Sequence, residues 1–319
     1  MNLKNKKIDI VDTLIRLLPL ILLVILGAII QSKNEYFLTL NNFASVLLQA
    51  SSLALMALGM TFVLITGGID LSIPPVMASS AIVGVMFMAK GGNPFLAFLL
   101  MLAFGTLCGV INGFAVAYMN MIPFVVTLSM QMIAYGFSQW ITNASGVTGV
   151  APEFQKVVLL KVGVFSLPVI VMIIIIIAAH LYLKKTYLGR WLFFVGTNEK
   201  MALVSGIPAK LTVFSAYVFS GFMAGLTAVV LSARMNSAAA TFGEDTVVAD
   251  IIAAAVVGGA STNGGVGTGY GALIGALFIT LISNSSNMLR ISYNSMLIVK
   301  GGFIILFVIL DVYRQRRRK

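Results

Sequence analysis

Long apolar runs, broken only by glycine, proline and scattered charge, dominate the chain; Leu20 to Ile30 and Val169 to Ala179 are continuous examples. A membrane-crossing helix needs about 20 mostly apolar residues to cover a hydrocarbon core of about 30 Å. Spanning barrel strands are instead written as alternating segments of about ten residues. Continuous runs therefore predict helices. With the breakers as boundaries, spans are expected near 14–31, 43–66, 72–90, 94–119, 121–142, 163–183, 210–231, 246–262, 267–288 and 293–312. This is an all-α, polytopic helical membrane protein of about ten transmembrane helices, with 1–319 forming a single transmembrane domain. The spacing of Gly105, Gly109 and Gly113 recurs five spans later as Gly267, Gly271 and Gly275. Because five is odd, such a repeat implies two inverted five-helix halves.

Composition agrees with the pattern. Hydrophobic residues make up 59% of the 319 and charged residues 10%, against about a quarter charged in a soluble domain. The net charge of +11 acquires meaning from its placement. Fourteen of the 21 cations fall in three places: Lys4, Lys6, Lys7 and Arg16; Lys184, Lys185, Arg190, Lys200 and Lys210; Arg314, Arg316, Arg317, Arg318 and Lys319. Cations beside spans mark the cytoplasmic side, and an even number of spans puts all three groups there. Residues 1–13, 184–210 and 313–319 are thus expected in the cytoplasm, both termini included, in a prokaryotic plasma (inner) membrane. The excess charge reports topology, with membrane lipid as surroundings and no nucleic acid as partner. Residues 143–162 and the loop from Ser232 to Asp245 should face outward, as plain connectors or as contacts for an extracytoplasmic partner.

Few groups suit chemistry. Cys108 is the one cysteine and His180 the one histidine, so a metal centre or a catalytic triad lacks its parts. No phosphate-binding G-x-x-x-x-G-K-[ST] is present, and Gly267 to Ala272 fits the dinucleotide pattern only by chance between two apolar spans. No catalytic residue, metal or cofactor is expected, which also disfavours an intramembrane enzyme. Charges at membrane depth are costly and usually face the protein interior. Asp70 follows Gly67 and Gly68 and precedes Ser72, Pro74 and Pro75; Asp250 precedes Gly258 and Gly259. Such interrupted helices line cavities or gates, although Asp70 also suits a helix cap. In the central basic segment, Gly196 and the N-capping Asn198 precede a short helix over 199–205, with Gly206 and Pro208 as its stop. That helix suits docking on a soluble partner, through Glu199, Ala202 and Ser205 among others.

Four stretches together carry a resemblance. The run Gly59 to Ser72 is similar to the signature of permease subunits of the ribose-type ABC importers, which serve monosaccharides and related small solutes. Asn112-Gly113 with Pro123 to Leu128, Gly189-Arg190 with Gly196 to Asn198 and Ser205 to Ile207, and Asp250 to Gly259 with Gly264-Gly265 extend it in order along the chain. Two departures stand out. The family continues Val-Gly after Asp-Leu-Ser, where this chain has Ile73-Pro74-Pro75. Ahead of Asp250 a Gly-x-Gly-x-Glu-x-Asp pattern is reduced to Glu244, Thr246, Val248 and Asp250.

The resemblance implies a transport subunit that is not itself an enzyme. ATP would bind to separate ABC ATPase subunits docked on Gly196, Asn198, Glu199, Ala202, Ser205 and Gly206. A second permease copy or paralogue would complete the pathway, an extracytoplasmic solute-binding protein would deliver the solute, and Gly67, Gly68, Asp70, Ser72, Asp250, Gly258 and Gly259 would line the gate. The rival reading is a stand-alone secondary transporter with Asp70 or Asp250 as a proton or sodium site.

Overall fold

The computed structural model describes residues 21, 24, 25 and 27–318, without the side chains of Asp245 and 310–318. Most of the expected span 14–31 lies outside the described residues; 27–31 are helical. Then follow α1 (Leu40–Ile65), α2 (Ile73–Ala89), α3 (Pro94–Ala117) and α4 (Pro123–Thr142). The segment after α4 holds β1 (Val147–Thr148), α5 (Pro152–Val158), β2 (Lys161–Val162) and β3 (Phe165–Ser166). The chain continues with α6 (Leu167–Lys185), α7 (Tyr187–Thr197), α8 (Glu199–Val204), α9 (Ala209–Met235) and β4 (Ser237–Ala238). A 3₁₀ turn at Ala240–Gly243 leads to α10 (Asp245–Val257), α11 (Gly269–Met288) and α12 (Tyr293–Arg318).

Proline explains why boundaries were readable. Pro74, Pro75, Pro94, Pro123, Pro152 and Pro168 all lie in the first turn of a helix, where the missing N–H has no partner to lose. The expected count of about ten is met only in part. Among the described residues, five helices are long and apolar enough to cross a membrane: α1, α3, α6, α9 and α11. The 17 residues of α2 and 13 of α10 reach about 26 and 20 Å, short of the core thickness. The span expected over 246–262 stops at Val257 because Gly258 and Gly259 close it. The one expected over 163–183 begins at Leu167, after Lys161–Ser166 turns back as the β2–β3 hairpin. Amphipathic α7 was not foreseen within the central basic segment.

Helix α1 is the buried axis, with 83% of its apolar window inside the protein, against 28% for α3 and 33% for α6. The outward surfaces of α3 and α6 are apolar, as a lipid-facing surface requires. Helix pairings come in matching sets: α3 with α9 and α11 with α1, α2 with α3 and α10 with α11, α2 with α9 and α10 with α1, α2 with α4 and α10 with α12. That is the packing of an internal repeat relating α1–α4 to α9–α12. The glycines follow it only in part. Gly105, Gly109 and Gly113 all face α9, so that a methyl at Gly105 would lie 2.5 Å from the Gly221 carbonyl oxygen and one at Gly225 2.7 Å from that of Met101. Of the second set, Gly267 meets Ile65 of α1, whereas Gly271 and Gly275 meet Gly258 and Ala254 at and before the end of α10. β1 pairs with β4 through Val147↔Ala238 and Thr148↔Ser237, which joins the segment after α4 to the one after α9.

Candidate translocation and coupling site

Helix α1 ends in a glycine-dependent turn. Gly67 takes φ +84; its N–H donates to the Leu64 carbonyl at 2.9 Å and that of Gly68 to Val63 at 3.1 Å, the pairing of a Schellman cap. Helix α10 ends the same way, with Gly259 at φ +87 and the N–H groups of Gly259 and Ala260 on the Val256 and Ala255 carbonyls. Both interruptions therefore have a defined geometry in place of loose chain.

After the first turn the chain carries Asp70 inward, 1% exposed. Its carboxylate accepts the Ser72 N–H at 3.0 Å, the Ser72 hydroxyl at 2.6 Å and the Ser220 hydroxyl of α9 at 2.8 Å. Asn112 of α3 donates to the Ser72 hydroxyl at 2.9 Å, and Thr127 of α4 to the Ile69 carbonyl at 3.2 Å. Ser72, and not Asp70, occupies the N-cap position of α2, and it makes no side-chain cap bond. Asp70 thus binds the interruption to α9, while Ser72 and the Ile69 carbonyl bind it to α3 and α4. The Tyr217 hydroxyl, against Gly68, and the Asn112 carbonyl oxygen are buried beside this node without a protein partner. Asp70→Ala strands the hydroxyls of Ser72 and Ser220, at about 1–3 kcal/mol for each unsatisfied buried group. Asp70→Asn keeps shape and acceptor, so thermal unfolding and uptake should show it near wild type and the alanine variant far below; equal loss in both would make the charge itself essential.

The turn before α10 rests on the start of α2. Gly243, just before α10, packs on Pro74 and Pro75, where an added methyl would lie 2.7 Å from Pro75 Cα. The proline pair that departs from the family pattern is therefore the floor on which the turn before α10 rests. Further along α10, Asp250 accepts from Lys300 of α12 at 2.7 Å, with the lysine side chain 7% exposed and the carboxylate 23%. Sequence reasoning missed Lys300, although a cation amid Leu297-Ile298-Val299 is the same signal that singled out Asp250.

The basic face carries the candidate coupling elements. Asn198 caps α8 by accepting the Met201 N–H at 3.0 Å, and Gly206 closes it at φ +76. Ala202 is only 2% exposed and packs with Val195 and Ala209, so it turns inward; Met201, Leu203 and Val204 are 62%, 53% and 85% exposed. Glu199 and Ser205 are exposed. At the end of α7, Gly196 lies directly against the Ile65 carbonyl, and Gly265 donates to that same oxygen at 2.9 Å. The end of α7, the α1 terminus and the turn after α10 therefore meet main chain to main chain. A crevice of about 260 Å³ opens beside this junction between Gly67, Gly68, Asn120, Glu199, Lys210 and Tyr217. No group of metal-binding side chains occurs among the described residues.

Comparison with known proteins gives this arrangement its class. Residues 42–309 match the family described as branched-chain amino acid transport system / permease component, and the chain belongs to that family. The ribose import permease of Bacillus subtilis (strain 168) is 35% identical over 97% of this chain and 96% of its own length. The D-allose transport system permease of Escherichia coli (strain K12) is 36% identical over 91% and 89%, and the galactose/methyl galactoside import permease of Haemophilus influenzae 30% over 99% and 98%. A solved chain assigned to the metal-chelate type of ABC transporter, in an inward-facing conformation, shares the fold at TM-score 0.53 and 14% identity, covering 94% of this chain and 98% of that one. The protein is a multi-pass inner-membrane permease subunit, a transport component and not an enzyme.

Proposed function

We propose that this permease moves a monosaccharide or a closely related small polar solute inward, driven by ATP hydrolysis on separate subunits. The observation that carries the solute class is full-length similarity to permeases named for ribose, allose and galactose, although the family description names branched-chain amino acids. Whole-length relatives weigh more than a family label that spans several solutes. Residues 184–210 face the cytoplasm with both termini, and the β1–β4 side meets an extracytoplasmic solute-binding protein. A second copy or close relative packs on α4, whose outward surface mixes Phe124, Met132 and Trp140 with Ser129 and the Gln139–Tyr135 hydrogen bond. Purely lipid-facing surfaces lack such polar positions. A proton- or sodium-coupled carrier has less support, because Asp70 is committed to Ser72 and Ser220 and Asp250 to Lys300.

The test is reconstitution with the ATPase and binding protein, following labelled ribose, allose, galactose and leucine. Uptake of a sugar that requires ATP is expected; leucine uptake alone would overturn the solute class, and gradient-driven uptake by this chain alone would overturn the transporter class. Coupling has its own test. Val204→Asp puts a charge on the exposed face of α8, and an unpaired charge at an interface costs about 2–5 kcal/mol, more than tenfold in affinity. Binding-protein-stimulated ATP hydrolysis should fall by at least that factor while the permease stays folded. Unchanged stimulation would remove α8 from the ATPase interface.

A further inference from the structure

The crevice beside the Gly67-Gly68 turn lies within one subunit, and transport as proposed makes no use of it. Its volume of about 260 Å³ equals the liquid share of eight or nine waters at about 30 Å³ each, below the range of about 300–1,000 Å³ usual for drug-sized ligands. It has room for one small ring and no more. Lys210, Val213 and Tyr217 form one wall, standing three or four residues apart on the same face of α9. From the lysine to the tyrosine that wall is about 10 Å long. The turn after α1, the α3–α4 turn at Asn120, and Glu199 at the start of α8 supply the others.

Burial orders these groups from mouth to floor. Glu199 and Lys210 are exposed, and neither forms an ion pair among the described residues. Tyr217 is 0% exposed, and its hydroxyl, against Gly68, has no protein partner. A carboxylate accepts, an ammonium donates and a phenol does both, so the three together ask for a ligand with acceptors and donors at each end. A net anion would meet Glu199, and a net cation Lys210. A zwitterionic amino acid satisfies the two charges at the mouth but turns its apolar end to the unpaired hydroxyl. A neutral polyol satisfies all three, because each of its hydroxyls both donates and accepts, while Val116 and Val213 offer apolar contact to its C–H face. We propose that this crevice is a binding site for one monosaccharide, with one sugar hydroxyl on Tyr217 and others on Glu199 and Lys210. That this sugar is also the transported one rests on the reading above.

Such a sugar bridges two elements that coupling requires to move. Gly67 and Gly68 end α1, and Glu199 begins α8, three residues beyond the Gly196 contact with Ile65. A ring held against both ties α8 to the α1 terminus. Solute accumulating on the basic side therefore acts as a brake on its own import.

The full-length chain in lipid nanodiscs, without ATPase or binding protein, tests the site. Saturation-transfer NMR with ribose, allose, galactose and leucine reads binding, and hydrogen exchange reads its place. At least one sugar should bind in preference to leucine, and protection should rise together at Gly67-Gly68 and over 199–210. Tyr217→Phe should weaken that binding by about five- to tenfold, as the loss of one hydrogen bond implies. Its thermal stability should stay level or rise, because the hydroxyl it loses has no protein partner. Lys210→Met, at an exposed position, gives a second reading of the weakening if the buried change prevents folding. Binding of no sugar, preference for leucine, sugar binding unaltered in both variants, or protection confined to other segments would each overturn the proposal. Binding is read here without transport, so the site and the transport reading fail separately.

Discussion

Gly196→Ala is expected to reduce ATP-driven uptake by about tenfold or more while the chain still inserts in the membrane. The added methyl points at the Ile65 carbonyl, with the Gly265 amide 2.8 Å away. Both neighbours are main chain, so neither can yield by changing rotamer, and such overpacking costs about 1–3 kcal/mol or more. The cost falls at the junction of α7, the α1 terminus and the turn after α10, where displacement separates the coupling segment from the interrupted helices. Gly302→Ala, in open space on α12, should be silent. Uptake and thermal stability measured side by side decide the matter: wild-type values for Gly196→Ala would mean that the junction has slack and does not transmit motion.

The second large effect belongs to the ion pair between α10 and α12. Lys300→Ala leaves the Asp250 carboxylate without its cation, and breaking one side of a buried pair costs about 3–5 kcal/mol. The partial exposure of Asp250 places the expected loss at the lower end. Replacing both partners, as Asp250→Leu with Lys300→Met, should restore much of it, because two apolar groups leave no charge unpaired. Unfolding in detergent measures the stabilities. If the double variant is no better than Lys300→Ala, the pair has a role beyond holding α12 on α10.

The helices themselves were legible because their starts are written in proline and their length in continuous apolarity, two signals that need no partner. Interrupted helices were legible for the same reason: Gly67-Gly68 and Gly258-Gly259 are local instructions. Partners were not. Ser220 is 150 residues from Asp70 and, like Asn112 and Tyr217, is an ordinary neutral polar residue within an apolar run; only folding shows which hydroxyl meets which carboxylate. Ala202 illustrates the other limit. Its helix, cap and stop were read correctly, but a six-residue helix has too little periodicity to tell its buried face from its exposed one, and Val204 now stands where Ala202 was expected. The shortened α10 reflects a competition that hydropathy averages out, since Val256-Val257 favours continuation while the following glycine pair ends the helix in a close approach to Gly271.

The glycine seam between α3 and α9 has a mechanical consequence. Where Gly105 and Gly109 meet Gly221 and Gly225 the backbones are interlocked, and sliding by one turn would drive side chains into carbonyls. The two helices must travel as one stiff beam. One end of that beam, at Ala209, is packed under α8; the other, at Met235, runs straight into β4 and its pairing with β1. A push on the α8 end therefore has a rod to travel along, reaching the β1–β4 end without passing through the interrupted helices.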